Sequence, residues 1–197
     1  MTGADQNEEG LEGSPRFYGG RMLLAMPGMV DPNFSRAVIA MCVHDEHGAM
    51  GLDVGHAIEG MSVAELMAGF GIEAPQLAHV PVMRGGPVEA QRGFVLHCGD
   101  WGGKDSLCVA ENWNLSGSMD VLKAIAAGEG PSHYIIALGY SGWSAGQLEH
   151  EMHLHGWFLG GTLPADLARV APGSRWDQCY AACGVDSRLL TGNTGQA

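Results

Sequence analysis

The stretch Leu24–Phe34, with the letters LAMPGMVDPNF, constrains this chain more than any other. An apolar run ends at Pro27, whose ring fixes φ and removes a ladder donor. Gly28 lets the chain reverse, and Asp31-Pro32 stops it again. A second apolar run, Ala37–Val43, follows. The pattern predicts a strand, a stiff connection and another strand, and it matches no standard catalytic fingerprint. The 31 glycines among 197 residues extend this theme. They are dispersed without a G-X-Y period, which excludes collagen and predicts tight turns between short elements.

Met22–Met26, Ala37–Val43 and Ala49–Val54 read as strands, with a hairpin turn at His44–Gly48 and Asp53 marking the end of burial. Ser62-Val63-Ala64-Glu65 is a capping box opening a helix with Val63, Leu66, Met67 and Phe70 at helical spacing, closed by Gly69 and Gly71. Val80–Met83 is a strand stopped by Arg84-Gly85-Gly86-Pro87. Gly93–Cys98 and Ser106–Ala110 are further strands, and Ser118 caps a helix carrying Val121, Leu122 and Ile125. His133–Leu138 is the strongest strand pattern of the second half. Ser144–Gln147 forms a second capping box, opening a helix of about three turns with Leu148 and Met152 inward. Ser174 caps a last helix holding Trp176, Tyr180 and Cys183, ended by Gly184. Strands run together before helices intervene, so the fold class is α+β. The length suits one domain, here residues 21–190, with a flexible arm at 1–20 and a loose tail at 191–197.

The net charge of −12, from 22 acidic and 10 basic residues, repels a phosphate backbone. Arg84, Arg92, Lys104, Lys123 and Arg169 stand apart, so direct nucleic-acid binding is disfavoured. Five cysteines, an odd number without a C-x-x-C pair, suit reduced thiols in the cytosol. Residues 1–14 lack the apolar core of a signal peptide, and no apolar run approaches the roughly 18 residues of a membrane span.

Four blocks resemble the bacterial AlgH/YqgE-like family: Ala25–Phe34 (AMPGMVDPNF), Cys42–Leu52 (CVHDEHGAMGL), Pro81–His97 (PVMRGGPVEAQRGFVLH) and Ala137–Glu151 (ALGYSGWSAGQLEHE). A looser match continues through Gly156-Trp157, Pro164-Ala165-Asp166, Arg175-Trp176 and Gly184-Val185-Asp186. The blocks are in order over roughly residues 20–190. The resemblance implies a compact α+β domain with a strongly curved, partly barrel-like sheet and several short helices. Some members carry the name of transcriptional regulator, and the family's biochemical activity is not established. One departure stands out: after GAMGL the family carries Asn, a basic residue and Pro, where this chain has Gly55-His56-Ala57.

Four places could carry chemistry. Cys42 and His44, at i and i+2 on a strand, would share a face, and an imidazole beside a thiol can generate a nucleophile. The simpler reading packs Cys42 as a small hydrophobe. His44 and His47 with Cys42, or His150, His153 and His155, lack standard zinc spacing, so no metal and no cofactor is expected. Arg84-Gly85-Gly86 could present backbone N–H groups as an anion nest or could be a turn that needs φ > 0. Gly139–Ser144 reads as a glycine-bracketed loop between a strand and a capped helix, presenting Tyr140, Ser141 and Gly142. Ser141 superficially resembles a nucleophile elbow but lacks the G-x-S-x-G spacing. The reading that follows is a non-enzymatic cytosolic protein binding a small ligand or protein partner in regulation. Its ligand residues would be Arg84, Gly85, Gly86, Tyr140, Ser141 and Gly142 on one surface. On that reading Gly86→Val damages binding more than stability, and Ser144→Ala removes a cap. The alternative is a thiol- or serine-dependent hydrolase or transferase using Cys42/His44 or Ser141.

Overall fold

The computed structural model describes residues 17–190. Nine strands form one nearly closed, barrel-like mixed sheet: β1 (Arg21–Ala25), β2 (Val38–Asp45), β3 (Gly48–Ser62), β4 (Pro81–Gly85), β5 (Val88–His97), β6 (Leu107–Ala110), β7 (Trp113–Ser116), β8 (Tyr134–Ser144) and β9 (Trp157–Thr162). Their order is β6-β7-β5-β8-β4-β3-β2-β1-β9, with an extra β8–β3 pairing. The helices are α1 (Val63–Ala68), α2 (Met119–Ala127), α3 (Gln147–His153) and α4 (Pro172–Ala182). The expected α+β class and curved sheet are both present.

Alternation along the strands divides the core. Leu24, Val38, Ala40, Leu52, Phe94 and Leu96 face the sheet interior with Trp176 and Tyr180 of α4. Their chain neighbours Leu23, Ile39 and Met41 face the other way, onto Trp143, Leu148 and Trp157. Val95 and Ile136 face Val63 and Met67 of α1 and Val121 and Ile125 of α2. A strand buried on both faces needs apolar residues at consecutive positions, which is why Ala37–Val43 is an unbroken apolar run. Buried polar tips hold the helices in place. Trp143 and Trp157 each donate an indole N–H to Glu151 of α3 at 2.9 Å. Trp176 Nε1 and Tyr180 Oη of α4 both donate to the Ala25 carbonyl, at 2.9 and 3.2 Å.

Several local expectations change. Ser62 and Glu65 form the expected reciprocal capping box. At Ser144 the helix does not begin: Ser144 ends β8, Gly146 is the N-cap, and Gln147 Oε1 accepts from the Ser144 amide instead. The helix is correspondingly short. Ser174 lies inside α4, which starts at Pro172, because proline at the first helical position sacrifices no intrahelical bond. Asp53 does not end burial; it is 1% exposed, and β3 continues to Ser62. Strands β7 and β9 carry no clear apolar alternation in sequence. Of the expected arm, only residues 17–20 are described, and Tyr18 there is buried against His44. The expected tail from Thr191 lies outside the described residues.

Candidate functional site

Strand β4 is a wedge. It lies between β3 and β8, parallel to β8 at Met83↔Ala137 and antiparallel to β3. Beyond Gly85 it leaves the sheet, and β8 pairs directly with β3 from Gly51↔Ser141 to Gly48↔Ser144. Two backbones cross where the wedge ends. A Cβ on Gly85 would overlap the Gly139 carbonyl, and one on Gly86 would overlap the Tyr140 backbone. Gly139 itself has φ +72°, a conformation that favours glycine. The stretch Arg84-Gly85 therefore belongs to a strand that was expected to stop before it. Gly139–Ser144 is likewise strand and not loop, because β3 supplies its hydrogen-bond partners.

The expected ligand residues divide accordingly. Gly85, Gly86 and Ser141 meet, but as buried packing, with Ser141 Oγ donating to the Gly85 carbonyl at 3.3 Å. Arg84 turns elsewhere, donating to the Asn33 carbonyl at 2.7 Å and standing 4.0 Å from Asp53. Tyr140 and Gly142 line an open groove of about 510 Å³.

That groove is lined by Val43, Met50, Val88, Phe94, Tyr140 and Trp143, with Asp45, His47 and Arg92 among its polar residues. Phe94 and Tyr140 meet edge to face, with ring centroids 5.9 Å apart. The Arg92 guanidinium lies 5.1 Å from the Phe94 ring centroid and donates to Glu89 at 2.9 Å. The β5–β8 register shifts between Val88 and Gly93, so Glu89–Arg92 bulges outward. Glu89 adopts φ +47° there, strain of the sort concentrated at binding sites. Arg92 and Phe94 also border a more enclosed, mainly apolar pocket of about 210 Å³, between the sheet and Leu66, Phe70, Met119 and Leu122. The sequence signal for this bulge is the run Glu89-Ala90-Gln91-Arg92 before Gly93, which breaks the apolar alternation of β5.

The catalytic candidates Cys42, His44 and Ser141 each bond to other groups and not to one another. A bulge between Met41 and Val43 inserts Cys42 into β2, so Cys42 and His44 fall on opposite faces. Cys42 packs in the interior cluster and donates to the Ala40 carbonyl at 3.4 Å, and burial pushes its thiol up to about 12. On the other face, His44 Nδ1 accepts the Tyr18 amide N–H at 2.9 Å, which leaves Nε2 as the donor to Glu149 at 3.1 Å. The candidate thiol–imidazole pair is therefore not formed, and Cys42 packs as the simpler reading had it, while the Ser141 hydroxyl donates to the Gly85 carbonyl. His150, His153 and His155 are exposed. Among the described residues no group of His, Cys, Asp and Glu is arranged to hold a metal ion.

Gly55-His56-Ala57 builds a charge network around the buried Asp53. Asp53 accepts from the Gly55 amide at 2.9 Å and from His56 Nδ1 at 2.6 Å. His56 Nε2 lies 3.0 Å from the Ser35 carbonyl. Both ring nitrogens face acceptors, and the Asp53 hydrogen bond raises the pKa of the ring above its ordinary value. Together His56 and Arg84 fasten the Asp31–Ser35 connection to the sheet.

A family model described as AlgH-like matches residues 22–188. The chain is 52% identical to a UPF0301 protein of Novosphingobium aromaticivorans, over 92% of this chain and 97% of the relative. It is 48% identical to another from Sphingopyxis alaskensis, over 95% and 100%. The chain belongs to the AlgH-like family. The solution structure of AlgH from Pseudomonas aeruginosa superposes with a TM-score of 0.74 at 39% identity, covering 94% of this chain and 99% of that one. A Corynebacterium diphtheriae protein shares the fold alone, with a TM-score of 0.67 at 20% identity, covering 82% and 84%. The match to the AlgH-like family spans the strand crossing, the groove and the Asp53 network together.

Proposed function

We propose that this AlgH-like protein acts in regulation by binding a small ligand in the groove beside Tyr140 and Phe94. The ligand has a flat apolar portion and an anionic group. One observation carries the reading: an aromatic wall and a guanidinium on a strained bulge converge on an open groove. In a chain of net charge −12, Arg92 is the cation placed to meet an anion. Its pair with Glu89 is exposed, and such pairs contribute about 0–1 kcal/mol, so an anionic ligand displaces Glu89 at little cost. The apolar portion lies against Tyr140, Val43 and Met50. Reduced cysteines support a cytosolic setting; all five are unpaired.

Ligand-observed NMR with a library of aromatic carboxylates and phosphates tests this. Hits should shift resonances of Arg92, Phe94 and Tyr140. Arg92→Ala should weaken binding about tenfold, the order of a lost charge-assisted contact, without lowering the melting temperature by more than a few degrees. Tyr140→Ala should weaken binding as well, at a cost in stability because Tyr140 packs on the core. Hits that map away from the groove, or that bind both variants unchanged, would refute the reading.

A further inference from the structure

The end of β5 carries a hydroxyl–imidazole chain that neither the groove nor the Asp53 network uses. His97 is fully buried. Its Nδ1 lies 2.8 Å from the Cys98 carbonyl oxygen. A carbonyl can only accept, so Nδ1 carries the proton and Nε2 is left as an acceptor. Ser116 Oγ of β7, also buried, lies 2.9 Å from Nε2 and donates to it. Ser106 Oγ lies 2.7 Å from Ser116 Oγ. Ser106 Oγ also stands 3.4 Å from His97 Nε2, a longer contact than the 2.9 Å one from Ser116, so with the Ser116 proton on the ring Ser106 donates to Ser116. Ser106 is only half-buried, just before β6, so it is the link that solvent reaches. Trp101 packs edge-on against the imidazole, with centroids 5.5 Å apart. The result is a directed relay from an accessible hydroxyl to a base in the correct tautomer, the arrangement that activates a serine nucleophile.

We propose that Ser106 is an acyl-accepting nucleophile, activated by His97 through Ser116, and that it takes acyl groups from small activated esters. Ser106 Oγ forms the bond to the acyl carbon. Its proton passes to Ser116 Oγ while the Ser116 proton passes to His97 Nε2. The adduct then collapses with cleavage of the bond to the leaving alkoxide or phenoxide, which recovers the proton through the same relay. Nothing is oxidised or reduced. His97 Nδ1 is oriented by a backbone carbonyl and not by a carboxylate, so the imidazolium gains no charge-assisted bond there. Acylation is therefore slow, and acylated protein accumulates in place of turnover. This site is separate from the groove and does not depend on the ligand-binding reading.

The full chain treated with p-nitrophenyl acetate at mildly alkaline pH tests the proposal. It should release one equivalent of nitrophenolate and gain one acetyl group, which peptide mapping places on Ser106. Ser106→Ala, a change at a half-exposed position, should abolish labelling and leave the circular dichroism spectrum unchanged. Ser116→Ala should slow acylation by about a hundredfold, the contribution of a positioned base, and should remove the solvent deuterium isotope effect that proton relay imposes. His97→Asn should match it; if that variant does not fold, Ser116→Ala carries the test. Acetylation on Cys98, Cys108 or Lys104 in place of Ser106 overturns the proposal. So does a Ser116→Ala protein with the original rate and isotope effect.

Discussion

Burial pushes the Cys42 thiol up to about 12 from an ordinary 9.0, and reactivity follows the thiolate. A thiol reagent near neutral pH should therefore modify exposed Cys108 and half-buried Cys98 and Cys183 first. It should reach Cys42 only when denaturant is added, which mass mapping after timed quenching would reveal. Early labelling of Cys42 would contradict its burial. His56 makes the opposite kind of prediction. Its pKa is raised above 6.5, chiefly by the Asp53 hydrogen bond and against partial burial and the charge of Arg84. A raised folded-state value means that this stabilisation is complete below the unfolded value and is lost as pH rises through the folded one. The stability difference between the natural chain and His56→Leu, measured by urea unfolding, should shrink as the pH is raised above 6.5. A difference that grows over that range would reverse the assignment.

At the scale of elements, the β3–β4–β8 fork decides the most. Gly86→Val would drive a side chain into the Tyr140 backbone, so the substitution acts on stability before it can act on binding. We expect a loss of about 4 kcal/mol or more, or failure to fold, in chemical denaturation. A Gly86→Val protein of near-normal stability would mean that the crossing is looser than described. The two serines compare differently. Ser62 caps α1 with the full reciprocal box, so Ser62→Ala should cost about 1 kcal/mol. Ser144 ends a strand and makes an exposed bond to Gln147, so Ser144→Ala should cost no more than about 0.5 kcal/mol. Equal losses would show that Ser144 caps after all.

For the whole molecule, charge sets the outward behaviour and three clusters set the inward. At −12, with basic residues scattered, the isolated protein should show no sub-micromolar affinity for random duplex DNA near 0.15 M salt. Fluorescence anisotropy would check this, and tight, salt-sensitive binding would overturn it. Among the described residues no helix is long and apolar enough to cross a membrane. The apolar runs that feed three separate clusters explain why a glycine-rich chain still buries a large core: each central strand packs on both faces.

By itself the sequence determined what depends on near neighbours. The Pro27-Gly28 reversal, the hairpin before Gly48, the Ser62–Glu65 box and the helix of Val121, Leu122 and Ile125 were all legible, because proline, glycine and capping hydroxyls act within a few residues. The family was legible too, through ordered blocks such as CVHDEHGAMGL. Only the tertiary structure decided the rest. One extra residue at Cys42 reversed the face of His44, and strand periodicity carries no mark of a bulge. Gly85 and Gly86 looked like a ligand nest until Gly139, more than fifty positions away, came to lie against them. Ser106, Ser116 and His97 are unremarkable apart and become a relay only when β5 and β7 pair. Which strand lies beside which is settled by the burial of the whole sheet, and no local pattern encodes it.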